Sequence, residues 1–200
     1  MSTTPVVEVF FDYVCPWCYL GTVRTERLQR EYGVALRWTV FPLHPETPEE
    51  GMEYAELFAG HETEIANMQA RLSELASAEG LPLVARTRTY NSRRAQELGK
   101  WAESQGKGDP CRRALYRAYF VEGKNIALVD ELVQIAGSVG LPLDEAREIL
   151  ATKSFAAAVD ADWQRAAGLR ITAVPTHLCG DKRLAGFSAY DDFVRLIGKG

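Results

Sequence analysis

The chain has 200 residues, of which 46% are hydrophobic and 25% charged, a composition typical of a globular protein with a substantial core. Its formal net charge of −4, without a basic run, argues against nucleic acid and anionic membranes as partners. The N-terminus has no basic segment, and no stretch approaches the roughly 18 apolar residues of a membrane span, so we expect a cytoplasmic protein.

The N-terminal segment predicts a strand–helix–strand unit. Residues 6–11, VVEVFF, predict a short buried strand. A helical pattern runs from Tyr19 to about Tyr32, and Gly33 supplies the left-handed residue that commonly ends a helix. Residues 34–41, VALRWTVF, alternate in polarity and predict a second strand. The two strands are therefore expected to be parallel, joined by a βαβ crossover.

The middle of the chain predicts a helical insertion. Residues 42–50, PLHPETPEE, contain three prolines and mark a boundary. From about 51 to 168, apolar residues recur at three- and four-residue spacing, which is typical of helices. Within this region, RTRTYNSRR at 86–94 predicts a solvated loop and helix start. The alternative is a site for an anion such as a glutathione carboxylate.

The C-terminal segment returns to strand patterns. Residues 174–179, VPTHLC, and 183–187, RLAGF, predict a hairpin that turns at GDK. Ser188 followed by Asp191 resembles a capping box and predicts the start of a last helix.

The order of these elements indicates an α/β protein with a thioredoxin-like fold (βαβ…ββα) and a large all-helical insertion. The thioredoxin-like domain would comprise residues 1–42 and 169–200, and the insertion residues 43–168. In this topology the first hairpin strand runs antiparallel to the first strand of the chain. Its start is therefore expected beside Cys15.

The CPWC motif lies where the first strand gives way to the helix. Backbone N–H groups and the helix dipole at this position favour the thiolate of Cys15 over its thiol. Pro16 suits the first helical position, and Cys18 lies one turn on, beside Cys15. The two sulfurs can then form and break a disulfide with little backbone motion, so the motif predicts a dithiol redox centre.

The alternatives for this pair are half of a zinc site or two buried structural cysteines. A zinc site needs a second close pair of Cys or His. The remaining candidates are scattered along the chain: Cys111, Cys179, His44, His61 and His177. Proline between two cysteines at a strand–helix junction is unusual for plain packing. We therefore expect no metal, and Cys111 and Cys179 are interpreted as bystanders rather than as a second redox pair.

Val174 and Pro175 form the second half of the predicted site. Proline at the start of a central strand is out of place unless it has a role. A cis peptide there would present the backbone of Val174 to an extended substrate, which pairs with it as an added strand. The alternative is a trans proline entering an edge strand.

Four further side chains are candidates for supporting roles. Asp12 is either a buried proton acceptor for Cys18 or the N-terminal cap of the helix. Pro16 and Trp17, between the cysteines, are predicted to contact substrate, with Trp17 as an apolar platform. Packing against the insertion is the alternative for Trp17. His177 either tunes the thiolate or contacts substrate, or it is a strand histidine that faces solvent.

These motifs resemble the DsbA family of thiol–disulfide oxidoreductases, and most closely its cytosolic FrnE-like branch. The resemblance rests on CPWC after a strand ending in FFD, on the following YLG, on VPT before a hairpin and on the helical insertion. EGKNI at 122–126 and GLRITAVPT at 168–176 extend it over nearly the whole chain. It implies that Cys15 attacks, that Cys18 resolves, and that cis-Pro175 with Val174 binds substrate. One departure is His177, where the family usually has an apolar residue.

The resulting prediction is a cytosolic protein dithiol–disulfide oxidoreductase or isomerase that acts through a mixed disulfide and requires no cofactor. Relatives in the branch that use glutathione imply one alternative, a glutathione-dependent small-molecule isomerase or kappa-class-like transferase. A non-enzymatic redox sensor is the other. The expected partners are protein thiols and disulfides or a glutathione-linked small molecule. The sequence leaves open the direction of electron transfer and whether the chain forms a homodimer.

Overall fold

The structure, a computed structural model, describes residues 4–199 and divides into two compact units. The thioredoxin-like unit contains the chain up to Leu43 and again from Asp162, and the helical unit contains His44–Ala161. The sequence places the second boundary at 168/169, at the end of a helix. In the structure it falls inside that helix, because the last turns pack with the sheet.

Strands and helices alternate in the thioredoxin-like unit. In chain order its elements are β1 (Val6–Phe11), α1 (Pro16–Tyr32), β2 (Ala35–Val40), the end of α8 (Ala156–Gly168), β5 (Thr176–Cys179), β6 (Lys182–Ala185) and α9 (Tyr190–Leu196). The four strands form one sheet in the order β2-β1-β5-β6. β1 is parallel to β2 and antiparallel to β5, which is in turn antiparallel to β6. The predicted βαβ…ββα order is confirmed.

The core of this unit lies between the sheet and helices α1 and α9. Alternation along β1 directs Val7 and Val9 to this face. They pack in a cluster with Leu28, Val34, Phe193 and Leu196. Helix α1 ends as predicted at Gly33, whose φ of 64° is left-handed and whose N–H donates to the carbonyl of Gln29.

The last helix begins without the predicted capping box. Ala189 rather than Ser188 occupies the N-cap of α9, and no side chain caps the helix. The carbonyl of Ser188 instead accepts a hydrogen bond from the guanidinium of Arg24 on α1. The segment before α9 is therefore held by a residue distant in sequence rather than by a local motif.

The helical insertion is confirmed, with the addition of one short pair of strands. Its elements are β3 (Met52–Glu53), α2 (Tyr54–Leu57), α3 (Glu62–Ala78), β4 (Arg88–Thr89), α4 (Arg93–Ser104), α5 (Gly108–Phe120), α6 (Val129–Ser138), α7 (Leu143–Thr152) and the start of α8. β3 and β4 pair antiparallel, and two-residue strands are too short to show a period of two in the sequence. Gly60, with a φ of 84°, separates α2 from α3.

The arginine-rich segment 86–94 is not the solvated loop that the sequence predicts. The guanidinium of Arg86 lies 3.8 Å from the centroid of the Tyr119 ring. The other arginines form ion pairs: Arg88 with Glu53, Arg93 with Glu97 and Asp160, and Arg94 with Glu49. Partners distant in sequence thus build this segment into the helical unit.

Glu8 is a buried carboxylate on the opposite face of the sheet. Arg165 of α8 donates two hydrogen bonds of 2.6 Å to it, and Thr39 donates one of 2.7 Å. Arg37 lies 3.6 Å away. Burial opposes ionisation, but the hydrogen bonds and positive charges outweigh burial, so the pKa of Glu8 lies below its ordinary value.

We expect Glu8→Gln to lower the free energy of unfolding by about 2 kcal/mol near neutral pH. This is less than for a fully buried ion pair, because the Arg165 side chain is 40% exposed. Since the folded-state pKa is depressed, the difference from wild type is full above the ordinary carboxyl pKa of 4.5 and shrinks as pH falls through the folded value. Urea unfolding at neutral pH and at about pH 3 measures the loss of stability and its dependence on pH.

Glu31→Gln is the matched control for Glu8→Gln. Glu31 also pairs with an arginine, Arg27, but both side chains are exposed, so little change is expected. If Glu8→Gln lowered the free energy of unfolding as much in acid as at neutral pH, the depressed pKa assigned to Glu8 would be contradicted.

Candidate active site

Cys15 and Cys18 lie at the N-terminus of α1, where both are buried and free. Cys15 occupies the N-cap, and its sulfur accepts a hydrogen bond of 3.2 Å from the backbone N–H of Cys18. Pro16 occupies the first turn, where no N–H is needed. A backbone N–H and the positive end of the helix dipole thus meet the Cys15 sulfur, and both stabilise negative charge there.

The carbonyl of Val174 lies 3.5 Å from Cys15 Sγ. β5 runs antiparallel to β1, which brings the residues preceding β5 to the end of β1, although 159 positions separate Val174 from Cys15. The Val174–Pro175 peptide bond is cis. A Cβ at Gly21 would lie 3.7 Å from the Pro175 ring, so α1 approaches this proline closely. The structure therefore brings the two predicted halves of the site together.

Asp12 is fully buried at the end of β1, and its carboxylate binds two backbone N–H groups. Oδ1 accepts from Val14 at 3.2 Å and Oδ2 from Leu43 at 3.0 Å. The prediction that Asp12 caps α1 is wrong, because Cys15 occupies that position. The carboxylate instead fixes the turn that leads from β1 to the CPWC motif.

The two thiols are in different environments. The pKa of Cys18 is raised well above its ordinary value, first by burial, then by the neighbouring Cys15, and also by the negative charge of Asp12. Cys18 is therefore a thiol at neutral pH, whereas the sulfur of Cys15 receives a backbone N–H at the helix start. Such a pair offers one nucleophile and one proton-bearing partner within a single helical turn.

Trp17 and Pro16 are half-buried on the first turn of α1. The centroid of the Trp17 ring lies 6.0 Å from that of Phe187, a residue that follows β6. Phe187 was not among the predicted site residues. Topology could have predicted its position, because the end of a hairpin lies beside its start. In the structure the N–H of Gly186 donates to the carbonyl of Pro175 at 2.7 Å.

Two of the interpretations of His177 do not fit its position, since it neither faces solvent nor is exposed to a substrate, whereas tuning of the thiolate stays a prediction. It is buried rather than solvent-facing, with Nε2 3.0 Å from Thr25 Oγ1 and its ring 4.7 Å from that of Phe193. Burial lowers the pKa of His177 to about 4, so the imidazole is neutral and belongs to the core.

Cys111 and Cys179 lie in different units. Cys111 is buried in α5, where burial raises its pKa to about 12. Cys179 ends β5 and packs against the core of the thioredoxin-like unit. Within residues 4–199, no group of three or more His, Cys, Asp or Glu side chains is placed to hold a metal ion. In the same range, no helix is both long and apolar enough to cross a membrane.

The chain is similar to known proteins over nearly its full length. A family model described as a DSBA-like thioredoxin domain matches residues 6–198. In sequence, the chain is 27% identical over 197 residues to the uncharacterised protein YwbO of Bacillus subtilis, covering 96% of this chain and 94% of that protein.

Three solved structures share the fold. A probable DsbA oxidoreductase from Streptomyces coelicolor matches with a TM-score of 0.89 and 24% identity, over 98% of this chain and 91% of that one. A 2-hydroxychromene-2-carboxylate isomerase matches with a TM-score of 0.74 and 21% identity, over 96% and 93% of the two chains. The cytosolic disulfide reductase DsbM from Pseudomonas aeruginosa, solved with GSH, matches with a TM-score of 0.66 and 18% identity, over 96% and 97%.

Proposed function

Since this chain belongs to the family of DSBA-like thioredoxin domains and is a thiol–disulfide oxidoreductase, we propose that it exchanges disulfides with protein substrates through Cys15 and Cys18. The observation that carries the proposal is the placement of the Cys15 sulfur. It lies between a backbone N–H that stabilises a thiolate and the backbone of Val174, 3.5 Å away. The likeness to cytosolic DsbM favours the cytoplasm as its compartment.

The chemistry requires only the two sulfurs. In the reducing direction the Cys15 thiolate attacks one sulfur of a substrate disulfide, forms a mixed disulfide and releases the other sulfur as a thiolate, which takes up a proton. Cys18, deprotonated, then attacks Cys15 Sγ, releases the second substrate thiol and leaves a Cys15–Cys18 disulfide. Two electrons pass to the substrate, and the reverse sequence oxidises a substrate dithiol. If a different thiolate of the substrate, rather than Cys18, attacks the mixed disulfide, it forms a new substrate disulfide and releases Cys15 as a thiolate, which isomerises the substrate without net electron transfer.

Asp12 serves as the proton acceptor of the second step. The raised pKa of Cys18 keeps it protonated while Cys15 attacks, so its proton must leave before it can resolve the mixed disulfide. Asp12 is the buried carboxylate whose charge acts on Cys18, and it accepts the proton directly or through a water molecule.

The substrate binds along the backbone of Val174. An extended peptide that pairs there as an added strand places its cysteine near Cys15 Sγ, which lies 3.5 Å from the Val174 carbonyl. Pro175 flanks this strand, and Pro16 and Trp17 lie on the first turn of α1 at the same thiol. The backbone pairing supplies affinity that does not depend on the side chains of the substrate.

A glutathione-dependent reaction is the second candidate. It is favoured by the fold shared with a DsbM that was solved with GSH and with an isomerase that acts on a small molecule. In this case Cys15 would act on bound glutathione, and no protein would be attached to it.

Trapping with Cys18→Ser separates the two candidates. Without its resolving thiol, the variant is expected to retain a substrate on Cys15 as a stable mixed disulfide. We would offer an oxidised unfolded protein together with glutathione disulfide and measure the adduct by intact-mass spectrometry. A predominant protein adduct is expected, and a glutathione adduct alone would favour the second candidate. The double variant Cys15→Ser/Cys18→Ser is the matched control, and an equal amount of adduct in it would refute attack by Cys15.

A further inference from the structure

Two aromatic rings, those of Trp17 and Phe187, meet at the first turn of α1. Trp17 is two residues from Cys15, and its ring centroid lies 6.0 Å from that of Phe187. Both side chains are half-buried, so part of each ring is accessible. Phe187 comes from the segment between β6 and α9, so the pair is formed by two regions distant in sequence.

Phe187 is held in place by neighbours on both sides. The N–H of Gly186 donates to the carbonyl of Pro175 at 2.7 Å, which ties this segment to the peptide that follows Val174. The guanidinium of Arg24 stacks on the Phe187 ring at 3.9 Å and donates to the carbonyl of Ser188. A ring fixed in this way loses little conformational entropy when a ligand binds to it.

We propose that Trp17 and Phe187 form a side-chain-binding surface that selects substrates with an apolar, preferably aromatic, residue next to the reacting cysteine. The inference rests on the proposed function and adds the substrate class. A peptide whose cysteine reaches Cys15 along Val174 passes both rings, because Trp17 follows Cys15 closely and Phe187 is tied to Pro175. Aromatic faces and edges bind aromatic and aliphatic groups.

The same surface discriminates against glutathione. Glutathione flanks its cysteine with a γ-glutamyl group and a glycine, and neither can cover an aromatic ring. Arg24, a cation on this surface, already directs its guanidinium to the Phe187 ring and to the Ser188 carbonyl. If the Arg24 guanidinium left those contacts to bind a carboxylate of glutathione, the Phe187 ring would no longer be held in place. The surface therefore favours peptides over glutathione.

The test compares two disulfide-linked peptides that differ only in having Phe or Ser next to the cysteine. Wild type is expected to show a kcat/KM about tenfold higher for the Phe peptide. Phe187→Ala is expected to bring this ratio close to one, and Phe187→Leu to an intermediate value, which keeps the test valid if the alanine variant folds poorly. Tyr32→Ala removes an exposed aromatic ring at the far end of α1 and should leave the ratio and both rates unchanged.

Arg24 acts as a positioning residue, and a second comparison tests it. Arg24→Gln is expected to lower the Phe/Ser ratio about threefold, because the ring it stacks on becomes mobile. The redox potential of the Cys15–Cys18 couple should not change. Arg27→Gln is the matched control, because Arg27 stacks in the same way one turn further on, over Tyr190 at 3.8 Å, and should leave the ratio as in wild type.

Two results would overturn the inference: equal kcat/KM for the two peptides in wild type, or a Phe/Ser ratio that survives Phe187→Ala. Either leaves the proposed function standing, provided that turnover of both peptides still depends on Cys15. If turnover does not depend on Cys15, the proposed function itself fails.

Discussion

Cys15→Ser is expected to lower disulfide turnover to the background rate of thiol exchange in buffer. Serine is a favoured N-cap residue, and its hydroxyl can accept the Cys18 N–H that the sulfur now accepts at 3.2 Å, so the fold should be retained. A hydroxyl cannot replace the thiolate as nucleophile, because only a thiolate attacks a disulfide. Turnover of insulin or of a scrambled protein, measured with a thiol reductant in excess, gives the rates.

Cys179→Ser is the matched control for Cys15→Ser. Cys179 is a partly exposed free cysteine of the same unit, at the end of β5 opposite to the end that approaches Cys15. It should retain the wild-type rate. A Cys15→Ser variant with wild-type turnover would contradict the role assigned to Cys15, whatever the other cysteines do.

Much of the fold and half of the site could be predicted because their signals are local. Gly33 ends α1 where a left-handed residue is needed, and the strand–helix–strand order predicts that β1 and β2 are parallel. The N-cap position of Cys15 follows from a strand that ends and a Pro16 that can only begin a helix. The contact between Val174 and Cys15 depends on the topology of the sheet, and these elements specify that topology.

The remaining features depend on contacts between distant residues. Alternation along β5 shows that His177 and Cys179 share a face, but not that α1 and α9 cover that face, so the sequence left a solvent-facing His177 among its interpretations. Asp160, one partner of Arg93, follows it by 67 residues, and no local pattern predicts that pair. In the sequence, Phe187 cannot be told from any other hydrophobic residue of a hairpin. Its place near the site follows only from the hydrogen bond between Gly186 and Pro175.

Asp12→Asn is expected to affect both stability and resolution. The carboxylate accepts one backbone N–H on each oxygen, from Val14 and Leu43. An amide has only one oxygen, so one of these buried N–H groups would face an NH₂ group and lose its acceptor. We expect a loss of about 2 kcal/mol in the free energy of unfolding, measured by urea denaturation.

The same substitution removes the proposed proton acceptor of Cys18. Loss of the nearby negative charge lowers the pKa of Cys18 toward its ordinary value, but burial and Cys15 still hold it above neutrality. The proton must then leave to solvent, so we expect kcat to fall about 100-fold and to rise more steeply with pH than in wild type. Acid-quenched samples should show the mixed disulfide on Cys15 accumulating.

Asp162→Ala distinguishes this catalytic effect from a purely structural one. Asp162 is also a buried carboxylate of the thioredoxin-like unit, and it accepts the Val40 N–H at 3.0 Å from α8. Alanine, unlike asparagine, leaves no oxygen for the Val40 N–H, so this replacement removes a comparable structural contact without touching the route by which Cys18 loses its proton. We expect it to destabilise the fold while kcat and the lifetime of the mixed disulfide stay near wild type. If the two variants lose stability alike and kcat alike, Asp12 is a structural residue and Cys18 is deprotonated by solvent.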